Sequence, residues 1–188
     1  GVPLEIVHRD VSPQNVHLSH EGAVKIADFG IASANLFLDE VGVLKGKYGY
    51  MSPEQVSGGQ IDARADLFAV GVLLAEMVMA RRLFMSPNDL DVLLMVRDAR
   101  LDRLNECADD FPVALRVMTV RALQRRPEDR WQSAAEFRDA LDEWIRRTTR
   151  VTARDLASLI GQAINAPTAE IAGVPVPSAD DGLSGPMT

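Results

Sequence analysis

The sequence has 188 residues, a formal net charge of −7, 47% hydrophobic residues and 25% charged residues, which is typical of a soluble domain with one core. Its longest apolar run, 67–75, falls far short of the roughly 20 residues that span a bilayer. The negative charge disfavours nonspecific attraction to nucleic acid. We therefore expect neither a membrane segment nor a nucleic-acid partner in this chain.

The compartment is suggested by two further features. Cys107 is the single cysteine, so the chain has no internal disulfide and no cysteine pair for a metal. The sequence opens at Gly1 with no basic region followed by an apolar run, so a signal peptide is not expected. These observations predict a cytoplasmic protein, with Gly1 following a cut in a longer chain.

The first predicted element is a small β-hairpin. Two short apolar runs, Val16–Leu18 and Ala23–Ile26, flank the turn-forming residues 19–22. A long irregular stretch follows over 28–53. A compact domain rarely keeps so long a loop without a functional reason.

Most of the rest of the chain is predicted to be helical. Residues 62–79 lack a polar face, so we expect this helix to be buried on all sides. Ser133 with Glu136 fits a capping box at the start of another helix. Further helices are predicted over 88–97, 112–123, 133–147 and 151–164, with a flexible tail over 166–188.

The residues that carry chemistry form two short motifs. His8-Arg9-Asp10-Val11-Ser12-Pro13-Gln14-Asn15 is followed, thirteen residues after Asn15, by Asp28-Phe29-Gly30. Phosphoryl transfer from ATP needs a carboxylate to orient the attacking hydroxyl and oxygen ligands for Mg²⁺. Asp10, Asn15 and Asp28 supply that set of groups.

With these motifs the sequence resembles the protein kinase family. Three more landmarks follow in order: Tyr50-Met51-Ser52-Pro53-Glu54, the segment 66–71, and Arg130 after Arg126-Pro127-Glu128-Asp129. The resemblance covers Val7 to about Leu141 and includes features of bacterial members. It implies a mainly α fold with a small hairpin, the large C-terminal lobe over 1–147, an extra helix over 148–165 and no small lobe.

The resemblance also implies roles for individual residues. Asp10 would be the catalytic base, while Asn15 and Asp28 would bind the Mg²⁺ of Mg-ATP. Arg9 would contact a phosphorylated activation loop, and Asp66 would brace the catalytic-loop backbone. Other implied roles are the placement of Asp28 by Phe29 and Gly30, and a buried ion pair between Glu54 and Arg130.

Three features depart from the family pattern. No GxGxxG loop occurs, and the lysines, Lys25, Lys45 and Lys47, lie in the hairpin and activation segment, so half of the nucleotide cleft is expected elsewhere. Ser12, which we predict with Asp10 as a catalytic residue, stands where serine/threonine kinases usually carry a lysine that contacts the transferring phosphate. Lys47 replaces the usual threonine and could contact Asp10 or substrate.

The leading hypothesis is a protein serine/threonine kinase that uses ATP and Mg²⁺ on protein substrates, with the isolated 188 residues nearly inactive. A tyrosine kinase fits less well, because the loop lacks the particular arginine that tyrosine kinases use near the position of Ser12. The alternative from another class is a noncatalytic module that binds proteins through a groove around 88–97. His17 and His20 are interpreted as surface residues of the hairpin rather than a metal pair.

Overall fold

The computed structural model describes residues 6–29, 47–107, 111–148 and 151–165. In this part of the chain the predicted class, mainly α with a small β-hairpin, is confirmed. Short 3₁₀ turns occupy Pro13–Asn15, Tyr48–Tyr50 and Pro127–Asp129. The strands and helices are β1 (Val16–Leu18), β2 (Val24–Ile26), α1 (Pro53–Ser57), α2 (Ala63–Met79), α3 (Asp89–Arg97), α4 (Asp102–Glu106), α5 (Val113–Ala122), α6 (Ala134–Thr148) and α7 (Ala153–Asn165).

The hairpin has the predicted antiparallel pairing. Val16 lies opposite Ile26 and Leu18 opposite Val24. The turn between the strands closes through a bond from the Gly22 amide to the Ser19 carbonyl, 2.9 Å long. Gly22 has φ +81°, a left-handed conformation that glycine adopts without steric cost.

The helix α2 is the centre of the core, but it is not buried on all sides as predicted. Phe68, Val72 and Ala75 are fully buried, whereas Met77 is 71% exposed. The helix packs against α5 and against the 48–50 turn, and those neighbours cover one side of it. An apolar composition therefore did not require complete burial, because partner elements cover only part of the helix circumference.

The contact between α2 and α5 depends on the absence of a side chain at Gly71. An ideal Cβ at this position would lie 2.8 Å from the Cβ of Ala122 and 3.2 Å from the Cγ of Leu123. The Ala122 Cβ is fixed to its backbone and cannot rotate away. Gly71 thus allows the two helices to approach more closely than any larger residue would permit.

The C-terminal helices complete the core. Trp131 stacks on Phe137 of α6 with ring centroids 5.2 Å apart, and its indole nitrogen donates to the Met118 carbonyl over 3.0 Å. The helix α6 begins with the expected Ser133 cap, whose Oγ accepts from the Glu136 amide. The Glu136 carboxylate accepts from the Gln132 amide rather than from Ser133, so the return bond lies one residue earlier than in a standard capping box.

The last described helix, α7, contacts the hairpin. An ideal Cβ on Gly22 would lie only 1.9 Å from the carbonyl oxygen of Ala153, so the first residue of α7 rests directly on the turn. Thr152 and Asp155 cap the helix through mutual bonds to each other's backbone amides. The predicted helix over 151–164 is therefore present, beginning two residues later.

Several expectations fall outside the described residues, namely Gly30, most of the irregular stretch over 28–53 and the tail over 166–188. Among the helices that the structure describes, none combines the length and the apolar character that a bilayer span requires.

Gly71→Ala should lower the free energy of unfolding by about 1 to 3 kcal/mol, because the added methyl overpacks the α2–α5 contact. Gly161→Ala in α7 is the matched control, since nothing lies within 4 Å of its ideal Cβ. That change should raise stability by up to about 1 kcal/mol through helix propensity. Urea denaturation followed by circular dichroism measures both; a stabilised Gly71→Ala variant would contradict the close packing.

Candidate active site

The loop that carries Asp10 is fixed to the start of α2. The carboxylate of Asp66 accepts bonds from the amides of His8 and Arg9, at 2.7 and 2.8 Å. Burial raises the pKa of Asp66 above its ordinary value, while the two amide donors act in the opposite direction. Two charge-assisted bonds to successive amides leave the loop little rotational freedom at this point.

The backbone of Arg9 is held in an unfavourable conformation by these bonds and one more. Its φ is +65°, which costs an L-residue of this kind about 1 to 2 kcal/mol. The side-chain amide of Gln55, in α1, donates to the Arg9 carbonyl over 3.0 Å. The loop is thus clamped between α1 and α2.

Gln55 is a positioning residue that the sequence reasoning missed. It also closes a reciprocal capping box with Ser52, since each side chain bonds the other's backbone amide. The spacing Ser52-Pro53-Glu54-Gln55 fits the capping-box pattern with proline at the first helical position. That pattern could have predicted α1 and directed attention to Gln55.

His8 packs under the loop rather than facing solvent. Its Nε2 lies 2.9 Å from the Ala27 carbonyl oxygen, and its Nδ1 accepts from the Asp10 amide at 3.3 Å. Because Nδ1 accepts from the Asp10 amide, Nε2 is the ring nitrogen that donates to the Ala27 carbonyl. The ring also lies 4.6 Å from that of Phe29, which is 54% exposed.

Asn15 bonds both the backbone and the side chain of Asp10. Its Nδ2 donates to the Asp10 backbone carbonyl at 2.7 Å and to Asp10 Oδ2 at 2.9 Å. With both amide hydrogens used in this way, its Oδ1 remains available as an oxygen ligand. The residue is buried, so its orientation is determined by these bonds.

Asp28 is brought next to Asn15 by the hairpin. The amide of Ala27 donates to the Asn15 carbonyl over 2.9 Å, so Asp28 follows directly after a residue bonded to Asn15. Asp28 is exposed and has φ +57°. A carboxylate and an amide oxygen suit Mg²⁺, which usually takes one or two protein ligands and completes its shell with phosphate and water. No cluster of three or more metal-binding side chains occurs in the described ranges.

Asp10 forms an ion pair with Lys47. The Nζ of Lys47 lies 2.9 Å from Asp10 Oδ2, with the two side chains 34% and 30% exposed. Ser12, predicted with Asp10 as a catalytic residue, is fully buried, and its Oγ has no partner among the described residues. The partly open face of the loop therefore presents Asp10 and Lys47, not the Ser12 hydroxyl.

The turn that carries Lys47 is anchored by Tyr50. The Tyr50 amide bonds to the Lys47 carbonyl at 3.0 Å, and its buried hydroxyl donates to Glu76 at 2.5 Å. Arg82 also bonds that hydroxyl and lies over the ring. Burial raises the pKa of Tyr50 well above 10.0, and the bond to Glu76 raises it further.

Glu54 and Arg130 form a buried, two-pronged ion pair. Arg130 Nη1 and Nη2 donate to the two Glu54 carboxylate oxygens at 2.8 and 2.7 Å, and the Arg130 side chain is fully buried. The other three N–H groups of the guanidinium donate to the backbone carbonyls of Gln124, Arg64 and Arg125. All five donors are thus satisfied, as a buried guanidinium requires.

Seven of the predicted site residues fall into two groups. Arg9, Asp10, Asn15 and Lys47 meet at the loop, with Asp28 adjoining through Ala27. The ion pair between Glu54 and Arg130 connects α1 to the residue that follows the Pro127–Asp129 turn. The side chain of Arg9 is exposed, and its predicted contact with a phosphorylated loop remains a prediction, since 30–46 lies outside the described residues.

Comparison with known proteins defines the class. Residues 3–158 match the family described as protein kinase domain, and the chain belongs to that family. The predicted resemblance to bacterial kinases of the eukaryotic type is confirmed by curated relatives. A relative in Myxococcus xanthus, the tyrosine-protein kinase MasK, is 44% identical over 147 residues, which cover 77% of this chain and 23% of the relative.

Two other bacterial relatives are named serine/threonine kinases. PknL of Mycobacterium tuberculosis is 37% identical over 131 residues, 69% of this chain and 33% of the relative. A probable serine/threonine-protein kinase of Clostridium acetobutylicum is 34% identical over 139 residues, 72% of this chain and 21% of the relative. The chain thus spans between about a fifth and a third of the length of these relatives.

Arg130→Ala should destabilise the chain by about 3 to 5 kcal/mol, because it leaves the Glu54 carboxylate buried without its partner. Arg138→Ala is the matched control: its ion pair with Asp139 is 66% exposed on both sides, so water screens it and its loss should change stability little. Urea denaturation measures both changes. Similar losses in the two variants would contradict the buried role of Arg130.

The raised pKa of Tyr50 predicts a loss of stability at alkaline pH. The unfolded chain releases this proton near pH 10, whereas the folded chain retains it, so stability is present below pH 10 and falls as the pH rises. The free energy of unfolding should therefore drop more between about pH 9 and about pH 11 in the wild type than in Tyr50→Phe. Parallel slopes would show that Tyr50 is not shielded.

Proposed function

We propose that the full-length protein transfers the γ-phosphoryl group of Mg-ATP to serine or threonine hydroxyls of protein substrates. The observation that carries this proposal is the bond between Asn15 Nδ2 and Asp10 Oδ2. This bond joins a carboxylate at the open face of the loop to an amide whose oxygen is left available. The bond from Ala27 to Asn15 keeps Asp28 beside them. Family membership supports the same activity.

The chemistry assigns one role to each group. The substrate hydroxyl oxygen attacks the γ-phosphorus, the bond from that phosphorus to the bridging oxygen of ADP breaks, and the hydroxyl proton passes to Asp10. The products are a phosphate ester and ADP. The bond from Asn15 leaves the Asp10 carboxylate as an acceptor aimed by the loop.

Magnesium would be held by the Oδ1 atom of Asn15 and the carboxylate of Asp28. When bound with ATP, the ion neutralises charge on the β- and γ-phosphates. The family uses ATP and Mg²⁺, and the oxygen donors here match the hard ligands that Mg²⁺ prefers. Phe29 packs on His8, which supports its role in placing Asp28; the same role for Gly30 rests on the sequence alone.

The choice of hydroxyl is the finer part of the proposal. Two of the named relatives are serine/threonine kinases, whereas the Myxococcus relative is named a tyrosine kinase. The absence of the particular arginine that tyrosine kinases use near the position of Ser12 favours serine and threonine. Phosphoamino-acid analysis of peptides phosphorylated by the full-length protein decides this choice, and phosphotyrosine as the main product would reverse it.

A noncatalytic binding module is the second candidate. Leu90 and Leu94 of α3 are 60% and 39% exposed, so the predicted groove around 88–97 offers an apolar surface. The two candidates differ in nucleotide affinity, and titration of the full-length protein with Mg-ATP separates them.

We also propose a cytoplasmic location for the protein. We further propose that the 188-residue chain alone is nearly inactive, because it lacks a GxGxxG loop.

Asp10→Asn and Asp28→Asn should each lower phosphate transfer by about 10² to 10⁴-fold, since each removes a carboxylate that acts in the transition state. Transfer from labelled ATP to a library of serine, threonine and tyrosine peptides by the full-length protein measures the loss. Asp139→Asn, on the exposed side of α6, is the control and should leave the rate unchanged. Wild-type rates in both active-site variants would rule out the catalytic assignment.

A further inference from the structure

The catalytic loop has little positive charge of its own. Arg9 is the single basic residue between His8 and Asn15, and its exposed side chain makes no ion pair with Asp10 among the described residues. Ser12 cannot supply a donor at the open face, because it is fully buried. Phosphoryl transfer nevertheless spreads negative charge over three oxygens, which positioned cations stabilise.

We propose that Lys47 supplies this charge from the segment before α1 and contacts the transferring phosphoryl group while it holds Asp10. This inference rests on the proposed kinase function and assigns a further catalytic residue to the same site. In this proposal the positive charge that contacts the phosphoryl group belongs to the activation segment rather than to the catalytic loop.

The geometry of Lys47 fits both tasks. Its ammonium group has three N–H donors, one of which is directed at Asp10 Oδ2 over 2.9 Å. The side chain remains 34% exposed, so the other donors are accessible from the open face of the loop. In the described part of the chain, Asp10 is its single carboxylate partner, so two of the three N–H donors stay available to a phosphate oxygen.

The position of Lys47 is also determined firmly enough for such a role. Lys47 opens the 3₁₀ turn Tyr48–Tyr50, and the Tyr50 amide bonds its carbonyl. Tyr50 is itself 4% exposed and tied to Glu76 at the end of α2. A long side chain on a rigid turn loses less freedom when it binds a phosphoryl group than one on a free loop.

The test compares Lys47→Met and Lys47→Arg with Lys25→Met in the full-length protein. Lys25 lies on the exposed strand β2 and controls for the loss of one positive charge. We expect Lys47→Met to lower kcat by about 10²-fold with little change in the KM for ATP, as for loss of a group that acts in the transition state. Lys47→Arg should lose less, and Lys25→Met should match the wild type.

A double-mutant cycle separates contact with phosphate from action through Asp10 alone. If Lys47 touches the phosphoryl group, Lys47→Met should lower the rate further in the Asp10→Asn background. No further loss there would overturn the phosphate contact, and equal losses in the Met and Arg variants would overturn the role of charge. Melting temperatures within about 4 °C of the wild type show that the variants are folded.

The outcomes also distinguish this inference from the proposed function. If Asp10→Asn and Asp28→Asn abolish transfer while Lys47→Met retains the wild-type kcat, the kinase assignment holds and the role of Lys47 is wrong. If none of the three variants changes the rate, the kinase assignment itself fails.

Discussion

The buried pair between Glu54 and Arg130 fixes α1, and the placement of the catalytic loop depends on α1. Gln55 follows Glu54 directly and bonds the Arg9 carbonyl, while Asp66 bonds the Arg9 amide from α2. Both the amide and the carbonyl of Arg9 are thus bonded. These two bonds hold its backbone in a conformation that it would not adopt alone. A lysine at position 130 could not replace the arginine, because three donors cannot satisfy five acceptor contacts.

The site built on this support divides its charges between two segments. The loop provides the carboxylate of Asp10 and the amide of Asn15, and the turn before α1 provides the ammonium group of Lys47. The turn is anchored to α2 through Tyr50. The loop and the turn are therefore both attached to the same central helix. The distance between the Asp10 carboxylate and the Lys47 ammonium group is therefore determined by the packing of the core rather than by the loop alone.

The sequence was informative where patterns are long or motifs are dense. The helix 62–79 and the hairpin were predictable from period and turn residues, whereas the roles of Asp10 and Asn15 stay predictions drawn from their motif. The five-residue helices α1 and α4 are too short to show a period. The exposure of Met77 depends on tertiary neighbours, which no local pattern encodes. Contact of Lys47 with Asp10 was one of the two alternatives that the family pattern left open, and the structure shows that contact.

The seating of α7 on the hairpin turn restricts which residues evolution can place at position 22. The Ala153 carbonyl occupies the space of a Cβ, and φ of +81° adds a second demand for glycine. Kinase chains that keep a helix here should therefore retain glycine at this turn, whereas chains without the helix face only the demand of backbone conformation and can also accept asparagine or aspartate. Variation at one turn residue should thus indicate, across relatives, whether a helix corresponding to α7 rests on the hairpin.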